Sequence, residues 1–473
     1  MRDRREVLFL YIAEKDEINL GVGFLSAYLR SKGWETDLIV WNIVSGPDSY
    51  TAGMSSVDMV LADVAARSPG CLCISVMSLH MPYMHEFLTR VRGFYAGPIV
   101  VGGYHAVAVP EDFWEYDAVD AVVIGDGEYP LAAFVECVEA GRDCYGIEGL
   151  WGKEGRYFSS DWKGSHWYVG RLDDYPYIDY ELFNGLKPIR ERENVFFSPA
   201  RQTLSIMTAI SGRGCPHKCT YCSNAVRMSK FPSVKAYLRK YDPCIFVSYL
   251  KDCVERYDIQ FLDFLDELFI HNKSWIKEFV IAYKEKVNLP FSAQVHLSYL
   301  DEEICERMKE CGWMLAAFGV ECGDEEYRQR YLGRRMSNEF IKRQVNMLKQ
   351  KGIFTVSYNM MGMPFETEKT LRATIELNKE IQPDLAMHFY WQPLPATVLT
   401  GLAIKEGLIP EFCARDMNTV CNFGSPNVLS NQEAVISHFS EFARLPFSLQ
   451  SRAQDRLMKR LHEAACTWLS RSR

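Results

Sequence analysis

Residues 211–222 read Ser-Gly-Arg-Gly-Cys-Pro-His-Lys-Cys-Thr-Tyr-Cys. Cys215, Cys219 and Cys222 fall four and then three residues apart, so one short loop can aim three sulfurs at a common centre. A zinc site would bring a fourth Cys or His at similarly close spacing. The nearest, His217, sits between the first two cysteines and would have to fold back on the loop. Thiolates also hold iron–sulfur clusters, and a four-iron cluster with three protein ligands keeps one iron open for something else. The bland alternative is three core thiols that happen to lie close in sequence. The flanking Gly212 and Gly214 and the internal Tyr221 weigh against it.

The rest of the composition sets the context for that loop. At 473 residues the chain has room for two to four domains, and 48% hydrophobic with 13% aromatic residues is globular. A net charge of −8 argues against a nucleic-acid-binding surface covering the whole chain. Fifteen cysteines would suit a secreted disulfide scaffold, but the chain opens with the charged Met1-Arg-Asp-Arg-Arg-Glu6. No apolar run approaches the roughly 18 residues that span a bilayer. The expectation is a cytoplasmic protein, soluble or at most peripheral, in which the other cysteines, Cys71 and Cys73 included, are small core residues.

Two stretches of alternating strands and helices must position the loop. In the first, short apolar runs at 6–12, 36–41, 71–76, 98–103 and 121–124 read as buried parallel strands. Helical spacing lies between them at 21–32, 57–66 and 84–94. Residues 150–203 are aromatic-rich without clear period and suit a connector packed across an interface. From 204 the alternation resumes, with strands at 204–209, 261–265, 291–296, 314–320, 354–361 and 384–389. About six βα units make an open barrel rather than an eight-fold one. The expected fold class is α/β: a doubly wound Rossmann-like domain (1–149), the connector (150–203), a partial (β/α)6 barrel (204–410) and a helical C-terminal region (411–473). In both α/β units ligands bind at the carboxyl ends of the strands.

The cysteine loop, with Tyr221 before its last cysteine, resembles the cluster loop of the radical S-adenosylmethionine (SAM) superfamily. The resemblance implies that Cys215, Cys219 and Cys222 hold a [4Fe–4S] cluster whose open iron SAM chelates. Further motifs fall at strand ends. Asp263-Phe-Leu-Asp-Glu-Leu-Phe269 is similar to the family's acidic motif, placing Asp266 and Glu267 against SAM; Gly319-Val-Glu-Cys-Gly323 does the same for Glu321, with Cys322 where a serine is usual. Tyr358-Asn-Met-Met-Gly-Met-Pro-Phe-Glu-Thr367 places Gly362 beside the adenine, and its Glu366-Thr367 pair equally suits helix capping. The family's arginine near His296 is missing, which leaves Arg239 or Arg334 to meet the SAM carboxylate. Pro395-Ala-Thr397 stands where relatives often have Pro-Gly-Thr.

The first domain resembles the cobalamin (B12)-binding domain of class B radical SAM enzymes, through Asn19-Leu-Gly-Val-Gly23, Val101-Gly-Gly-Tyr-His105 and Ile124-Gly-Asp-Gly-Glu128. Ser75, Gly102, Gly103 and Gly125 are the implied corrin contacts. Residues 13–21 lack the histidine that ligates cobalt in many cobalamin proteins, so either the strand-end loops hold the corrin or the fold has lost it. His80 and His105 lie close by, and each reads either as a corrin neighbour or as a hydrogen-bonded structural residue.

The implied function is a cobalamin-dependent radical SAM enzyme that methylates an unactivated carbon through a 5′-deoxyadenosyl radical and methylcobalamin. The alternative is a rearrangement, ring contraction, cyclisation or oxidation on the same fold; a binding or sensing protein without turnover is a third reading. Implied partners are a small-molecule, lipid or peptide substrate and an external electron donor such as flavodoxin or ferredoxin, without nucleic acid and without a transmembrane segment. His388, Tyr390, Trp391 and Gln392 are placed at a late strand end near substrate entry, or in barrel-mouth packing. The basic amphipathic stretch near the C-terminus reads as packed on the barrel or lying on a membrane surface.

Overall fold

The computed structural model describes residues 5–13, 18–43, 55–184, 204–416, 432–448 and 453–472. The expected helical stretch from residue 430 and the expected connector therefore fall partly outside the described residues.

Five parallel strands, β1 (Glu6–Ala13), β2 (Glu35–Asn42), β3 (Cys71–Ser75), β4 (Ile99–Gly102) and β5 (Ala121–Val123), form the first sheet in the order β2-β1-β3-β4-β5. Helices α1 (Leu20–Ser31), α2 (Val57–Arg67), α3 (Met81–Arg90), α4 (Tyr104–Ala108) and α5 (Glu128–Glu139) connect them and return the chain. The central strand β1 is apolar on both faces because both are covered: Val7, Phe9 and Tyr11 enter one core and Leu8, Leu10 and Ile12 the other. Asn19 and Ser56 cap α1 and α2 through their side chains. Two antiparallel strands from the aromatic stretch, β6 (Leu150–Gly152) and β7 (Trp162–Lys163), extend this sheet beyond β5.

The second sheet is a six-stranded open barrel, all parallel. Its strands are β8 (Ile206–Ala209), β11 (Phe261–Phe264), β12 (Phe291–Gln294), β13 (Trp313–Glu321), β14 (Phe354–Met361) and β15 (Leu385–Tyr390). A short hairpin, β9 (Gly212–Arg213) with β10 (Arg239–Lys240), follows β8. Between the strands run α6 (Ser223–Ser229), α7 (Val234–Tyr237), α8 (Pro243–Tyr257), α9 (Lys273–Lys286), α10 (Glu302–Glu310), α11 (Glu325–Arg330), α12 (Asn338–Gln350) and α13 (Glu368–Ile381); α14 (Val398–Lys405), α15 (Gln432–Ala443) and α16 (Ala453–Ser472) come last.

An open barrel leaves two strand edges to cover. At β8 the connector does so: Tyr180 donates to the Thr208 carbonyl at 2.7 Å and Tyr177 to that of Ile210 at 2.9 Å. Tyr177 also stacks on Tyr249 at 5.3 Å, so the aromatic stretch packs across the interface. At β15 the Ala386 amide donates to the Phe447 carbonyl at 2.7 Å. Helix α16 fills the inner face of the barrel, burying Leu457, Leu461 and Ala465 against Leu315, Ala317, Val356, Leu385 and Met387. Its apolar stripe is thus used for packing, as the first of the two readings held. Among the described residues no helix is long and apolar enough to cross a membrane.

Candidate active site

The cysteine loop leaves β8 and is tied down at both ends. Ser211 donates from its amide (2.9 Å) and hydroxyl (2.6 Å) to Asp266, and Lys240 joins the same carboxylate at 2.9 Å. Gly214 has φ +97°, and a Cβ there would stand 2.5 Å from the Tyr237 carbonyl oxygen, so only glycine lets the loop pass. Toward the far end of the loop Thr220 is fastened to the segment after α11: its amide donates to Leu332 O at 3.3 Å and its hydroxyl to Tyr331 O. Cys219 is buried, while Cys215 and Cys222 are half-buried. Burial pushes the Cys215 thiol up to about 12, with Cys219 and Cys222 pushing the same way; burial likewise raises Cys222. Thiolates grouped in one partly buried loop are the donors that an iron–sulfur cluster takes.

Among the described residues no three His, Cys, Asp or Glu side chains close on a single metal ion. A [4Fe–4S] cluster takes each thiolate on a different iron and asks for a wider triangle, which suits a donor set of three cysteines without a fourth. His217 stacks on His296 with centroids 3.9 Å apart and has Tyr299 at its edge. Burial first, and then Arg334, lower the pKa of both imidazoles, that of His296 to about 2.

Beside the loop, Tyr221, Glu321 and Arg334 come together. Arg334 donates through Nη2 to the Gly319 carbonyl at 2.7 Å, while its Nη1 stands 3.8 Å from the Cys219 sulfur, 3.5 Å from the Tyr221 hydroxyl and 3.9 Å from Glu321. Glu321 follows a bulge in β13 and takes φ +67°, a strained conformation for a glutamate. Burial raises its pKa, opposed by Arg334. Arg334 Nε is buried with no partner among the described residues, a donor to spare for a carboxylate ligand. Next to this group, Glu366 Oε2 accepts the Gly362 amide at 2.6 Å and the Met363 amide at 3.1 Å, while its Oε1 is left buried without a partner. Burial pushes Glu366 up to about 8. These orphaned polar atoms, at the ends of the neighbouring strands β13 and β14, fit a bound SAM.

The remaining acids are committed elsewhere. Asp266 is wholly used by Ser211 and Lys240, and Glu267 accepts the Gly214 amide at 3.2 Å and Arg227 at 2.9 Å. Both carry the loop. Arg239 pairs with Asp126 of the first domain, whereas Arg334 stands beside the Cys219 sulfur.

At the other sheet, Ser75 and Gly102 are paired neighbours at the ends of β3 and β4. Ser75 accepts Asn19 Nδ2 at 3.1 Å. Gly103 has φ +98°, and a Cβ there would stand 2.7 Å from the Val76 carbonyl oxygen; one on Gly102 would meet nothing closer than 3.6 Å. Ser75 and Gly102 are half-buried and Gly103 is exposed, so this strand-end shelf carries no bulky side chain where a corrin would lie. Gly125 serves another purpose, since the Trp167 backbone passes where a Cβ would be. His105 is fully buried, with Nδ1 3.1 Å from Ser78 and Nε2 3.3 Å from Asp112. Burial holds His80 neutral with a pKa lowered to about 4. His105 is thus held by Ser78 and Asp112, which fits a corrin carried by strand-end loops.

On β15 the alternation sends His388 and Tyr390 to the outer side, under α15. His388 lies 4.3 Å from Phe439 and 4.5 Å from Phe442, and Tyr390 stacks on Phe439 at 4.1 Å. Trp391 is buried with Leu399 and Ala403 of α14. Of the two readings, packing is the one that the contacts of His388, Tyr390 and Trp391 support. Phe389, on the face shared with Leu385 and Met387, keeps 45% of its surface exposed at the barrel mouth. Period-two counting along β15 would have found it, had the end of the strand been known.

Family comparisons agree with this geometry. The model described as "Radical SAM superfamily" matches residues 209–377, and the B12 binding domain model matches residues 11–135. An uncharacterized methyltransferase of Pyrococcus horikoshii is 25% identical over 324 residues, covering 68% of this chain and 66% of that protein. The anaerobic magnesium-protoporphyrin IX monomethyl ester cyclase of Rubrivivax gelatinosus is 24% identical over 384 residues, covering 79% and 64%. The chain thus spans about two thirds of the length of these relatives. In fold it is similar to the radical SAM methyltransferase TsrM of Kitasatospora setae, solved with cobalamin and a [4Fe–4S] cluster bound. The TM-score is 0.63 at 17% identity, over 86% of this chain and 76% of that one. The family's cofactors are a [4Fe–4S] cluster, SAM and cobalamin, and each has a fitting site in this chain. The chain belongs to the cobalamin-dependent radical SAM enzymes, with its B12-binding domain ahead of the radical SAM domain.

Proposed function

We propose that the chain is a C-methyltransferase acting on an unactivated carbon. The observation that carries this reading is the meeting of the two strand-end surfaces. Tyr104, directly after the Gly102–Gly103 shelf, receives a hydrogen bond from Arg227, on the helix that follows Cys222, at 3.2 Å. A substrate in the cleft between them would face a corrin on one side and SAM on the other. When bound, the cluster supplies an electron, and SAM and cobalamin supply the hydrogen-abstracting radical and the methyl group.

The protein's part is binding, orientation and exclusion. Cys215, Cys219 and Cys222 hold the cluster. Arg334 pairs with the SAM carboxylate, Glu321 accepts from its ammonium group, and the Gly362 turn receives the adenosyl part. Asp266 and Glu267 support the loop. Ser75, Gly102 and Gly103 carry the corrin, and Phe389 presents an apolar wall that keeps water from the reacting carbon. An external flavodoxin- or ferredoxin-type donor supplies electrons, and a reducing cytoplasm suits the free thiols.

Anaerobic turnover tests the reading. A methylated product appearing with S-adenosylhomocysteine is expected. A second reading is favoured by the similarity to a cyclase over 384 residues: ring closure or oxidation without methyl transfer. It would give 5′-deoxyadenosine without S-adenosylhomocysteine.

A further inference from the structure

Two arginines bracket the cluster loop, and each is held by a group that the B12-binding domain presents at a strand end. Arg213, two residues before Cys215, pairs with Asp126 at 3.1 Å and with Glu128. Its guanidinium also lies 4.7 Å from the centre of the Phe24 ring. Asp126 follows β5 and Glu128 opens α5. The Asp126 carboxylate also takes Arg239, whose strand pairs with that of Arg213, and the Val169 amide at 2.9 Å. Burial opposes the charge on Asp126, but Arg213 and Arg239 outweigh it and hold its pKa well below the usual carboxylate range. Two guanidiniums and two carboxylates form a neutral set with side chains 12%, 6%, 9% and 3% exposed.

On the far side of the loop, Arg227 lies five residues past Cys222. It donates to the Tyr104 hydroxyl at 3.2 Å and to Glu267 at 2.9 Å, with its guanidinium 4.8 Å from the Tyr104 ring centre. Glu267 in turn accepts the Gly214 amide at the start of the loop. Despite these contacts Tyr104 keeps 42% of its surface exposed, as a ring facing an open cleft does.

Buried ion pairs add little net stability compared with apolar packing, but they are directional and tolerate one arrangement. A chemistry divided between two cofactors needs that property, because a displacement of about 1 Å between reacting groups can cost about a hundredfold in rate. The two domains also share an apolar core, with Ile12 and Met81 in one cluster with Leu399 and Ala414, but apolar packing is non-directional. We infer that Arg213 and Arg227 are positioning residues that mount the cluster loop on the B12-binding domain at both flanks, so that side chains set the cluster-to-corrin separation. The inference rests on the two-cofactor reading above.

Two variants test it. Arg213→Met alone would strand Glu128 unpaired in the interior, so it is combined with Glu128→Met, leaving Asp126 with Arg239; Tyr104→Leu removes the other anchor. In the reconstituted holoenzyme, pulsed EPR between the reduced cluster and cob(II)alamin reads their separation without turnover. A shifted or broadened distance distribution is expected in both variants, with iron content per chain unchanged. The ratio of 5′-deoxyadenosine to final product should rise about tenfold or more. Distributions and ratios that match wild type in both variants would overturn the inference. Should the wild-type chain take up no corrin, the two-cofactor reading falls by itself. The mounting is then read in the corrin-free, cluster-loaded chain by hydrogen exchange at the Gly212 and Gly214 amides. Exchange faster by about tenfold in both variants is expected, and unchanged exchange overturns the inference.

Discussion

The Arg334 guanidinium stands 3.8 Å from the Cys219 sulfur while donating to the Gly319 carbonyl, and so joins the cluster loop to the end of β13. Arg239, the other arginine proposed for SAM, is instead turned to Asp126. A hydrogen bond to a charged group contributes about 1.5–3 kcal/mol. Arg334→Met is therefore expected to weaken SAM binding by roughly 10- to 100-fold. Arg334→Lys should recover part of it, because lysine keeps the charge but not the two-pronged geometry. Titration of SAM against the EPR spectrum of the reduced cluster measures both.

Asp266 is expected to act through stability. Replacing it by alanine strands Lys240 and the Ser211 amide, and removing one member of a buried pair costs about 3–5 kcal/mol. Chemical denaturation of Asp266→Ala should show that loss together with poor iron incorporation. Wild-type stability combined with lost SAM binding would instead assign a direct contact.

Stability should depend on pH through Glu366. Burial raises its carboxyl to about 8 in the folded chain, against about 4.3 when unfolded. Between these values the native state binds more protons than the unfolded state. The contribution is full below about pH 4 and is lost as pH rises through about 8. Glu366→Gln still accepts the Gly362 and Met363 amides, so thermal melts between about pH 6 and pH 9 should show the variant losing less, by a few degrees in Tm.

Ala396 occupies φ +60° and is exposed. A left-handed conformation costs an L-residue roughly 1–2 kcal/mol, against about 0.4–1 kcal/mol for the extra freedom of glycine in the unfolded chain. Ala396→Gly should therefore stabilise by about 0.5–1 kcal/mol in denaturant melts without altering cluster content. Proline-alanine-threonine here is a small loss of stability in the loop.

Leu461 is fully buried where α16 fills the barrel. Leu461→Ala should destabilise by about 2–5 kcal/mol. A cost under about 0.5 kcal/mol, the figure for an exposed site, would mean that the helix does not dock there in solution.

Much of the fold was legible because parallel strands buried on both faces are written as continuous apolar runs, and β1 is such a run. Element ends were less legible. Helix α8 starts at Pro243, capped by Asp242, whereas apolar spacing suggests a helix over 249–257. Pairing of β6 and β7 with the first sheet was invisible, since strands of three and two residues carry no period.

By itself the sequence determined what local spacing can determine: three thiols in one loop, strand ends rich in glycine and acid, and therefore the family and its cofactors. Only the tertiary structure decided which distant groups meet. It set Arg334 beside Cys219 and Arg239 on Asp126, turned His388 outward and Phe389 toward the mouth, and brought the Trp167 backbone against Gly125. It also closed Asp126 and Glu128 on Arg213, at the flank of the loop that spacing alone had singled out. The reason is physical: cysteine spacing is a property of one backbone segment, whereas an ion pair between segments exists only once packing has excluded water and brought both charges to the same interface.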